Sequence, residues 1–183
     1  MTETLDTLPQ RLASDRDRAF PDLVRAMQDG VFSGVLQFTR NRHDAEDVTQ
    51  ETFVRAYRAL GTYDTERIRS LQLRPWVWAI ALNLCRNRAR TVARHPEASL
   101  TFDHVDTHGN VAVEAVETVS LEAWRDRLSA LSAPQRAAVV LHHVVGLPYA
   151  EIAASTGRTE STTRSDVKRG LARLRTLIEE EAT

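Results

Sequence analysis

The sequence predicts an all-α protein made of two small helical domains joined by an acidic flexible linker. Apolar residues recur at helical spacing along most of the 183 residues, and strand-like alternation is absent from the pattern. Residues 96–120 interrupt this periodicity and hold five acidic residues with neither Lys nor Arg. We therefore expect an N-terminal domain over 1–95, a linker over 96–120 and a C-terminal domain over 121–183.

The formal net charge of −1 conceals basic ends and an acidic middle. The N-terminal domain carries +3, the linker −5 and the C-terminal domain +1. The longest apolar run, PWVWAIAL at 75–82, is too short to cross a bilayer, and the N-terminus lacks the basic-then-apolar order of a secretion signal. Cys85 is the only cysteine, so an internal disulfide and a cysteine zinc site are not expected. These features predict a cytoplasmic protein without membrane insertion.

The first helical region covers residues 10–40, where apolar positions follow one face. Proline lacks a backbone N–H and glycine is a poor helix former. We therefore predict one or two amphipathic helices, bent near Pro21 and ended near Gly30 or Gly34.

A second helix is predicted over residues 43–60, HDAEDVTQETFVRAYRAL, with Gly61 ending it. An ordinary i,i+4 pair between Glu51 and Arg55 explains part of its polar pattern. It does not explain three acids on one face beside an amide and a valine, which are typical of a docking surface for a basic partner. The predicted buried side is Ala45, Thr49, Thr52, Phe53, Ala56 and Leu60, and the predicted docking face is Asp44, Asp47, Gln50, Glu51 and Val54.

A third helix is expected to start at Pro75 and to end near Arg94, after an irregular stretch. Residues 70–95 contain five Arg and no acid. An aromatic ring, amides and arginines can stack on unpaired bases, hydrogen-bond them and hold the strand backbone. The alternative is that Trp76 belongs to the core and the arginines only solubilise the helix. The predicted buried side is Val77, Ile80, Ala81, Leu84 and Cys85, and the predicted base-contacting stripe is Trp76, Asn83, Arg86, Asn87 and Arg90.

The C-terminal domain contains the signature of a helix-turn-helix. Helical periodicity returns at Leu121, with breaks at Ser132-Ala133-Pro134 and at Gly146-Leu147-Pro148. A short helix then runs from Tyr149 to Thr156, Gly157 makes a turn and Thr159 can cap the next helix. The fold class is accordingly an N-terminal helical bundle followed by a C-terminal helix-turn-helix.

The last helix carries the features of a DNA reader. Segment 158–175 has six basic residues against Glu160 and Asp166. Hydroxyls and arginines can read base edges in a major groove, and flanking cations can hold phosphates. The alternative is a solvated amphipathic helix that only packs against the domain. Asp166 is expected either to accept a hydrogen bond from a cytosine amine or to form an ion pair with Arg169 or Arg173. The predicted buried stripe is Thr163, Val167, Leu171, Leu174 and Ile178, and the predicted reading face is Ser161, Thr162, Arg164, Ser165, Lys168, Arg169 and Arg173.

Three motifs together resemble one protein family. The stretch DAEDVTQETFVRAYRAL is similar to the polymerase-binding helix of bacterial sigma factors of the extracytoplasmic-function (ECF) group of the sigma-70 family. RPWVWAIALNLCRNRAR, residues 74–90, resembles their helix that engages the minus-ten element, and GLPYAEIAASTGRTESTTRSDVKRGLARL resembles their reader of the minus-thirty-five element. The resemblance implies that Asp47, Gln50, Glu51 and Phe53 contact the beta-prime clamp helices of the polymerase.

The resemblance further implies that the amides of the middle helix help capture a flipped base. Flipping costs a few kcal/mol of stacking, which a preformed pocket offsets. The preceding loop, TYDTERIRSLQLRP, is longer than usual for the family, so the pocket residues within Thr62 to Leu73 and the preferred minus-ten sequence stay open.

The expected function is a transcription initiation factor that binds core RNA polymerase, melts the minus-ten element and reads the minus-thirty-five element. Core RNA polymerase would supply most of the nonspecific affinity for DNA. This would explain how a chain of nearly zero net charge can recognise promoters. Partners implied by the resemblance are core RNA polymerase, promoter DNA and, in many relatives, an anti-sigma factor.

Two alternatives belong to other classes. One is a stand-alone helix-turn-helix regulator whose N-terminal helices sense a ligand or dimerise. The other is a metal-dependent hydrolase built on Asp103, His104, Asp106 and His108, which lack the spacing of a scaffolded metal site. Catalytic motifs are absent from the sequence, so no catalytic residue, metal or cofactor is expected.

Overall fold

The computed structural model describes residues 2–39, 41–94 and 123–181, and the regular elements within them are helical. This confirms the all-α class with two helical domains. The predicted acidic linker and the Asp/His cluster around 103–108 lie outside the described residues. The helices are α1 (Thr2–Ser14), α2 (Arg16–Thr39), α3 (Arg42–Leu60), α4 (Thr65–Arg69), α5 (Leu73–Arg94), α6 (described over 123–129), α7 (Ala133–Val139), which continues into a π-helical turn (Val140–Val144), α8 (Tyr149–Thr156) and α9 (Glu160–Glu181).

The N-terminal bundle forms because each of its long helices buries one apolar face against the others. Helix α2 packs against α1, α3 and α5, and α3 also packs against α5. Complete burial of a Leu, Val or Trp side chain contributes on the order of 1.5–3 kcal/mol each, so these faces provide most of the driving force. The largest fully buried side chains of the bundle are Leu8, Leu12, Leu23, Val31, Val35, Leu60, Val77 and Trp78.

Helix α2 corrects the prediction that the first helical region ends near Gly30 or Gly34. It continues to Thr39, and Val31 and Val35 extend its buried face on the far side of Gly30. A Cβ atom at Gly34 would overlap the indole ring of Trp78. The glycine therefore permits close packing of α2 on α5, and that packing outweighs the low helix propensity of glycine.

Two further helices differ from the sequence expectation. Helix α1 begins at Thr2, where Leu5, Leu8 and Leu12 repeat at helical spacing. Helix α4 lies within the stretch predicted to be irregular, and the Asp64 side chain caps it by accepting from the backbone N–H of Arg67 at 2.7 Å.

The C-terminal domain follows its predicted breaks. Ser132 and Gln135 form a capping box at the start of α7. Gly146 and Gly157 have φ values of 78° and 68°, a left-handed conformation that favours glycine. Helix α8 begins directly after Pro148, so the short helix, turn and long helix stand in the predicted order.

The buried stripe of α9 differs from the predicted one at two positions. Leu171 and Ile178 are 38% and 45% exposed, whereas Gly170 is buried. A Cβ at Gly170 would lie 2.7 Å from Val139 Cγ2, so the absence of a side chain at this position lets α9 pack closely on α7. That contact sets the rotation of the helix and leaves the two larger side chains outside. The buried face is Thr163, Asp166, Val167, Gly170 and Leu174.

The helix-turn-helix packs against the N-terminal bundle. Helix α8 contacts α5, and Leu147 and Ile152 belong to the same core cluster as Trp78. Val145 and Trp78 meet over Gly34, and Arg74 Nη1 lies 3.5 Å from Glu151 Oε1. The interface thus combines an apolar contact with a partly buried ion pair.

Cys85 is predicted to resist alkylation in the folded protein. It is 8% exposed within the core, and burial raises the pKa of its thiol to about 12. The thiolate is the reactive form, so at pH 8 only about one molecule in 10⁴ carries it. We expect no iodoacetamide adduct by mass spectrometry after an hour at pH 8, and complete labelling in urea. Rapid labelling of the native protein would contradict the burial of this residue.

Candidate functional site

The acidic ridge of α3 is well formed. Asn41 caps the helix by accepting from the backbone N–H of Asp44 at 3.1 Å. The side chains of Asp47 and Glu51 are 57% and 41% exposed, and Glu51 accepts from Arg55 Nε at 2.7 Å. The structure therefore presents these acids to solvent on one helix face, next to the exposed residues Gln50 and Val54.

Asp44 and Phe53 take different positions from the other predicted docking residues. Asp44 forms an ion pair with Arg88 of α5, and its side chain is only 15% exposed. It therefore links α3 to α5. Phe53 is 8% exposed, as its place on the predicted buried side requires. Val48 is buried as well, although the predicted buried side did not include it.

Phe53 lies at the bottom of an open groove of about 500 Å³ between α2 and α3. The rings of Phe20 and Tyr57 pack edge to face, with their centroids 5.1 Å apart. This largely apolar groove lies beside the acidic ridge of α3. A partner surface with both basic and apolar side chains is therefore complementary to the ridge and the groove together. Its lining is Phe20, Val24, Gln28, Thr49, Gln50, Phe53, Val54, Tyr57 and Arg58.

A hydrogen-bonded cluster fixes Tyr57 at this groove. Its hydroxyl donates to Asp17 Oδ1 at 2.8 Å, and the Arg16 guanidinium lies 4.3 Å from its ring centroid. The hydrogen bond from Tyr57, followed by that from Arg16, lowers the pKa of Asp17. Phe20 and Tyr57 could not be assigned to a common site from sequence, because no periodicity relates α2 to α3.

The polar stripe of α5 is exposed as predicted over most of its length. Asn83, Arg86, Asn87 and Arg90 are all exposed. Arg86 Nη1 donates to Asn83 Oδ1 at 2.6 Å, so the amide and the guanidinium form one donor-rich group. Such a group can hydrogen-bond base edges and phosphates together.

Trp76 is neither fully exposed nor fully buried. It is partly buried and packs against the core, and its ring centroid lies 6.1 Å from that of Tyr63. The guanidinium of Arg67 lies 3.7 Å from the Tyr63 ring centroid. Tyr63 and Arg67 therefore extend the aromatic and cationic surface of α5 into the loop before it. Sequence reasoning left these positions open, and the capping Asp64 between them was the available signal of local order.

The predicted reading face of α9 lies at the surface. Thr159 Oγ1 accepts from the backbone N–H of Thr162 at 3.2 Å, which confirms the predicted cap. Arg164 Nη2 lies 2.8 Å from Glu160 Oε1, and its guanidinium lies 4.9 Å from the Tyr149 ring centroid. Thr162 is partly buried. The other residues of the predicted reading face are exposed: Ser161, Arg164, Ser165, Lys168, Arg169 and Arg173.

Asp166 pairs with Arg169, one of the two outcomes considered from sequence. Its Oδ1 accepts from Arg169 Nη2 at 3.1 Å, and its Oδ2 lies 3.1 Å from Arg158 Nη2. The residue is 4% exposed. Its contacts are therefore with these two arginines, and its burial rules out direct acceptance from a cytosine amine in this conformation.

Across the described ranges 2–39, 41–94 and 123–181, no group of three or more His, Cys, Asp or Glu is arranged to hold a metal ion. In the same part of the chain, none of the helices has the length and apolar character needed to span a membrane. His142 stacks on Tyr149 at a centroid distance of 4.3 Å and contacts Leu147 O through Nδ1 at 2.9 Å. This histidine is therefore part of the packing around the π-helical turn.

Two family models match separate parts of the chain. Sigma-70 region 2 matches residues 23–95, and sigma-70 region 4 matches residues 121–174. The first contains α3 and α5, and the second contains α8 and the reading face of α9. The matched segments therefore include all three surfaces described above.

Curated relatives and solved structures agree with these matches. The ECF RNA polymerase sigma factor SigE of Mycolicibacterium smegmatis is 32% identical over 160 residues, which cover 86% of this chain and 60% of that protein. The RNA polymerase sigma-H factor of Pseudomonas aeruginosa is 28% identical over 172 residues, 88% of this chain and 87% of that protein.

The structure of CnrH in complex with the cytosolic domain of CnrY has a TM-score of 0.74 at 25% identity, over 97% of this chain and 98% of that chain. The sigma factor RpoE in complex with the anti-sigma factor NepR, from Bartonella quintana, shares the fold, with a TM-score of 0.63 at 21% identity over 87% of this chain and 96% of that chain. The stand-alone regulator is therefore set aside, and the chain belongs to the ECF group of the sigma-70 family, whose members direct RNA polymerase to promoters to initiate transcription.

Proposed function

We propose that this initiation factor divides its work among three surfaces. Residues 1–95 form the unit that docks on the polymerase clamp and opens the minus-ten element, and residues 121–183 form the unit that reads the minus-thirty-five element. Residues 96–120 act as an acidic tether between them. The observation that carries the proposal is the presence of an acidic ridge, an amide-rich stripe and a basic reading face on separate helices, within the two matched family segments.

The docking surface is the ridge of Asp47, Gln50, Glu51 and Val54 together with the groove that ends on Phe53. Exposed acids attract and orient a basic helix pair, and the groove offers a place for its apolar side chains. This chemistry fits the beta-prime clamp helices. Asp44 contributes indirectly, because its ion pair with Arg88 holds α3 against the helix that contacts DNA.

The minus-ten surface is the stripe of Asn83, Arg86, Asn87 and Arg90 with Trp76 beside it. The amides can hydrogen-bond an unstacked base, and the arginines can hold the strand that carries it. We add Tyr63 and Arg67, which lie within segment 62–73 and continue this surface through the contacts of Arg67 with Tyr63 and of Tyr63 with Trp76. A base leaving the duplex would meet a preordered aromatic and cationic edge.

The minus-thirty-five surface is the exposed face of α9, from Ser161 to Arg173. Short hydroxyls fit the major groove without steric conflict, and Arg169 is held by Asp166 while its side chain stays 63% exposed, which leaves it available to a base edge. The polymerase supplies the remaining phosphate contacts, so this domain needs only a local positive charge.

An anti-sigma factor is a further proposed partner. CnrH is bound to the cytosolic domain of CnrY in its solved structure, and RpoE is bound to the anti-sigma factor NepR. We expect the protein to act in the cytoplasm, where promoters and polymerase are found, and to have no catalytic activity, metal or cofactor of its own.

The test of this function is transcription in vitro with sigma-free core polymerase and a pool of genomic fragments. We expect the chain to produce discrete start sites that neither core enzyme nor the chain produces alone. Tight, sequence-specific binding by the chain without polymerase, combined with no stimulated initiation, would refute the proposal.

Changing Asn83 and Asn87 to alanine should block promoter opening and leave polymerase binding intact. Both amides are exposed on the stripe, so their loss removes hydrogen bonds to unpaired bases at little cost in stability. Permanganate footprinting should show no reactive thymines near the start site, while a pull-down with core enzyme stays normal. Thr91→Ala, at an exposed position further along α5, is the control and should open promoters normally. Normal footprints from the double variant would contradict the assignment.

A further inference from the structure

Asp166 is a buried acid in the middle of a helix that is otherwise rich in cations. Segment 158–175 has six basic residues and two acidic ones, and Asp166 is 4% exposed. A buried carboxylate is costly unless charged or hydrogen-bonding groups compensate it. The hydrogen bond from Arg169 to Oδ1 and the nearby positive charge of Arg158 provide that compensation, although the buried Oδ2 accepts no hydrogen bond from the described residues.

The carboxylate joins two elements of the reader. Arg158 belongs to the turn between α8 and α9, and Arg169 lies one turn further along α9 than Asp166. Each carboxylate oxygen lies 3.1 Å from one of these guanidiniums. The turn and the helix surface are therefore tied through one buried charge.

Both arginines remain accessible while they are held. The side chains of Arg158 and Arg169 are 36% and 63% exposed, although the carboxylate between them is covered. A guanidinium has five N–H donors, and the hydrogen bond of Arg169 to Asp166 uses one of them. The other donors of Arg169 can address a guanine edge in the fork geometry that only arginine provides.

We propose that Asp166 is a positioning residue for promoter reading. It holds Arg169 in the rotamer that reaches a base edge and Arg158 in the one that reaches a neighbouring phosphate. Anchoring reduces the side-chain entropy lost on binding and fixes the angle of the guanidinium plane. Base discrimination by Arg169 therefore depends on a residue that does not touch DNA. This inference rests on the proposed reading of the minus-thirty-five element by α9.

The experiment measures base discrimination by holoenzyme, reconstituted from core polymerase and the full chain. Competitor promoter fragments carry every single base-pair change across the minus-thirty-five element, and their relative affinities are compared with the parent fragment. Arg169→Ala first identifies the base pair at which discrimination depends on Arg169. At that pair, Asp166→Asn should reduce discrimination about 3- to 10-fold. In the Arg169→Ala background, Asp166→Asn should cause no further loss there.

Glu179→Gln is the matched control, since it removes one negative charge from an exposed position on the same helix, about 20 Å away. It should leave discrimination unchanged. Equal losses for Asp166→Asn at all base pairs, or an added loss in the Arg169→Ala background, would show a purely structural role and overturn the inference. If Arg169→Ala itself discriminates as well as the original chain does, the assignment of Arg169 in the proposed function fails first.

A second measurement does not depend on whether Asp166→Asn folds. In the unmodified full chain labelled with ¹⁵N-arginine, the guanidinium of Arg169 should show restricted rotation and separate Nη signals, assigned by their absence in Arg169→Lys. Arg90, which is exposed on α5, should show averaged signals. Averaged signals from Arg169 would mean that Asp166 does not hold it, and the inference would be wrong.

Discussion

Changing both Asp47 and Glu51 to lysine is expected to abolish binding of this chain to core RNA polymerase. The substitution replaces two exposed acids on the α3 ridge with cations, so a basic clamp surface meets like charge, which costs several kcal/mol. A loss of about 2.7 kcal/mol already weakens binding about 100-fold. Fluorescence anisotropy of labelled protein titrated with core enzyme measures the effect.

The fold should survive this change, because the acids are surface residues and the exposed pair of Glu51 with Arg55 contributes little. Asp29→Lys with Glu66→Lys is the matched control, since both acids are exposed in the N-terminal domain but lie off α3, and the change in net charge is identical. Unaltered affinity of the α3 variant, or an equal loss in the control, would remove the ridge from the polymerase interface.

Replacing Trp78 with alanine is expected to lower the free energy of unfolding by about 3–5 kcal/mol. Trp78 is 1% exposed and fills the space over Gly34, where Val145 also approaches, so its removal leaves a cavity that rigid neighbouring helices cannot close. Urea unfolding followed by circular dichroism measures the change.

Trp76→Ala is the control for this prediction. It removes the same side chain from the same helix, but at a partly buried position, so the loss should be clearly smaller. Equal losses for the two variants would mean that Trp78 does not have the central packing role described here.

Local sequence signals located the helices that carry the three surfaces. Helix α3 was predicted over 43–60 and spans Arg42–Leu60, because its apolar face has a regular period and glycine follows it. The helix-turn-helix was located by Pro148, Gly157 and Thr159, each of which acts through the backbone of its own neighbourhood. Such signals need no knowledge of the partner helix.

Features set by contacts between helices could not be obtained in this way. Helix α2 continues past Gly34 because this glycine leaves room for the Trp78 ring. The face that α9 buries against α7 depends on the close contact of Gly170 with Val139. Likewise, the partial burial of Asp44 depends on its ion pair with Arg88, which is distant in sequence. In each case the deciding atoms belong to another helix, so neither propensity nor periodicity in one segment records the outcome.

The docking of α8 on α5 limits how far the protein can reach along a promoter. The minus-ten and minus-thirty-five elements are about 25 base pairs apart, or about 85 Å of duplex. A compact chain of 183 residues has a radius of gyration of only about 16 Å. If α5 and α9 bind these elements as proposed, both can be occupied only by molecules in which Arg74 has separated from Glu151 and Val145 has left Trp78. Apparent promoter affinity scales with the fraction of such extended molecules, and a polymerase that keeps the two domains apart raises it without adding any contact to DNA.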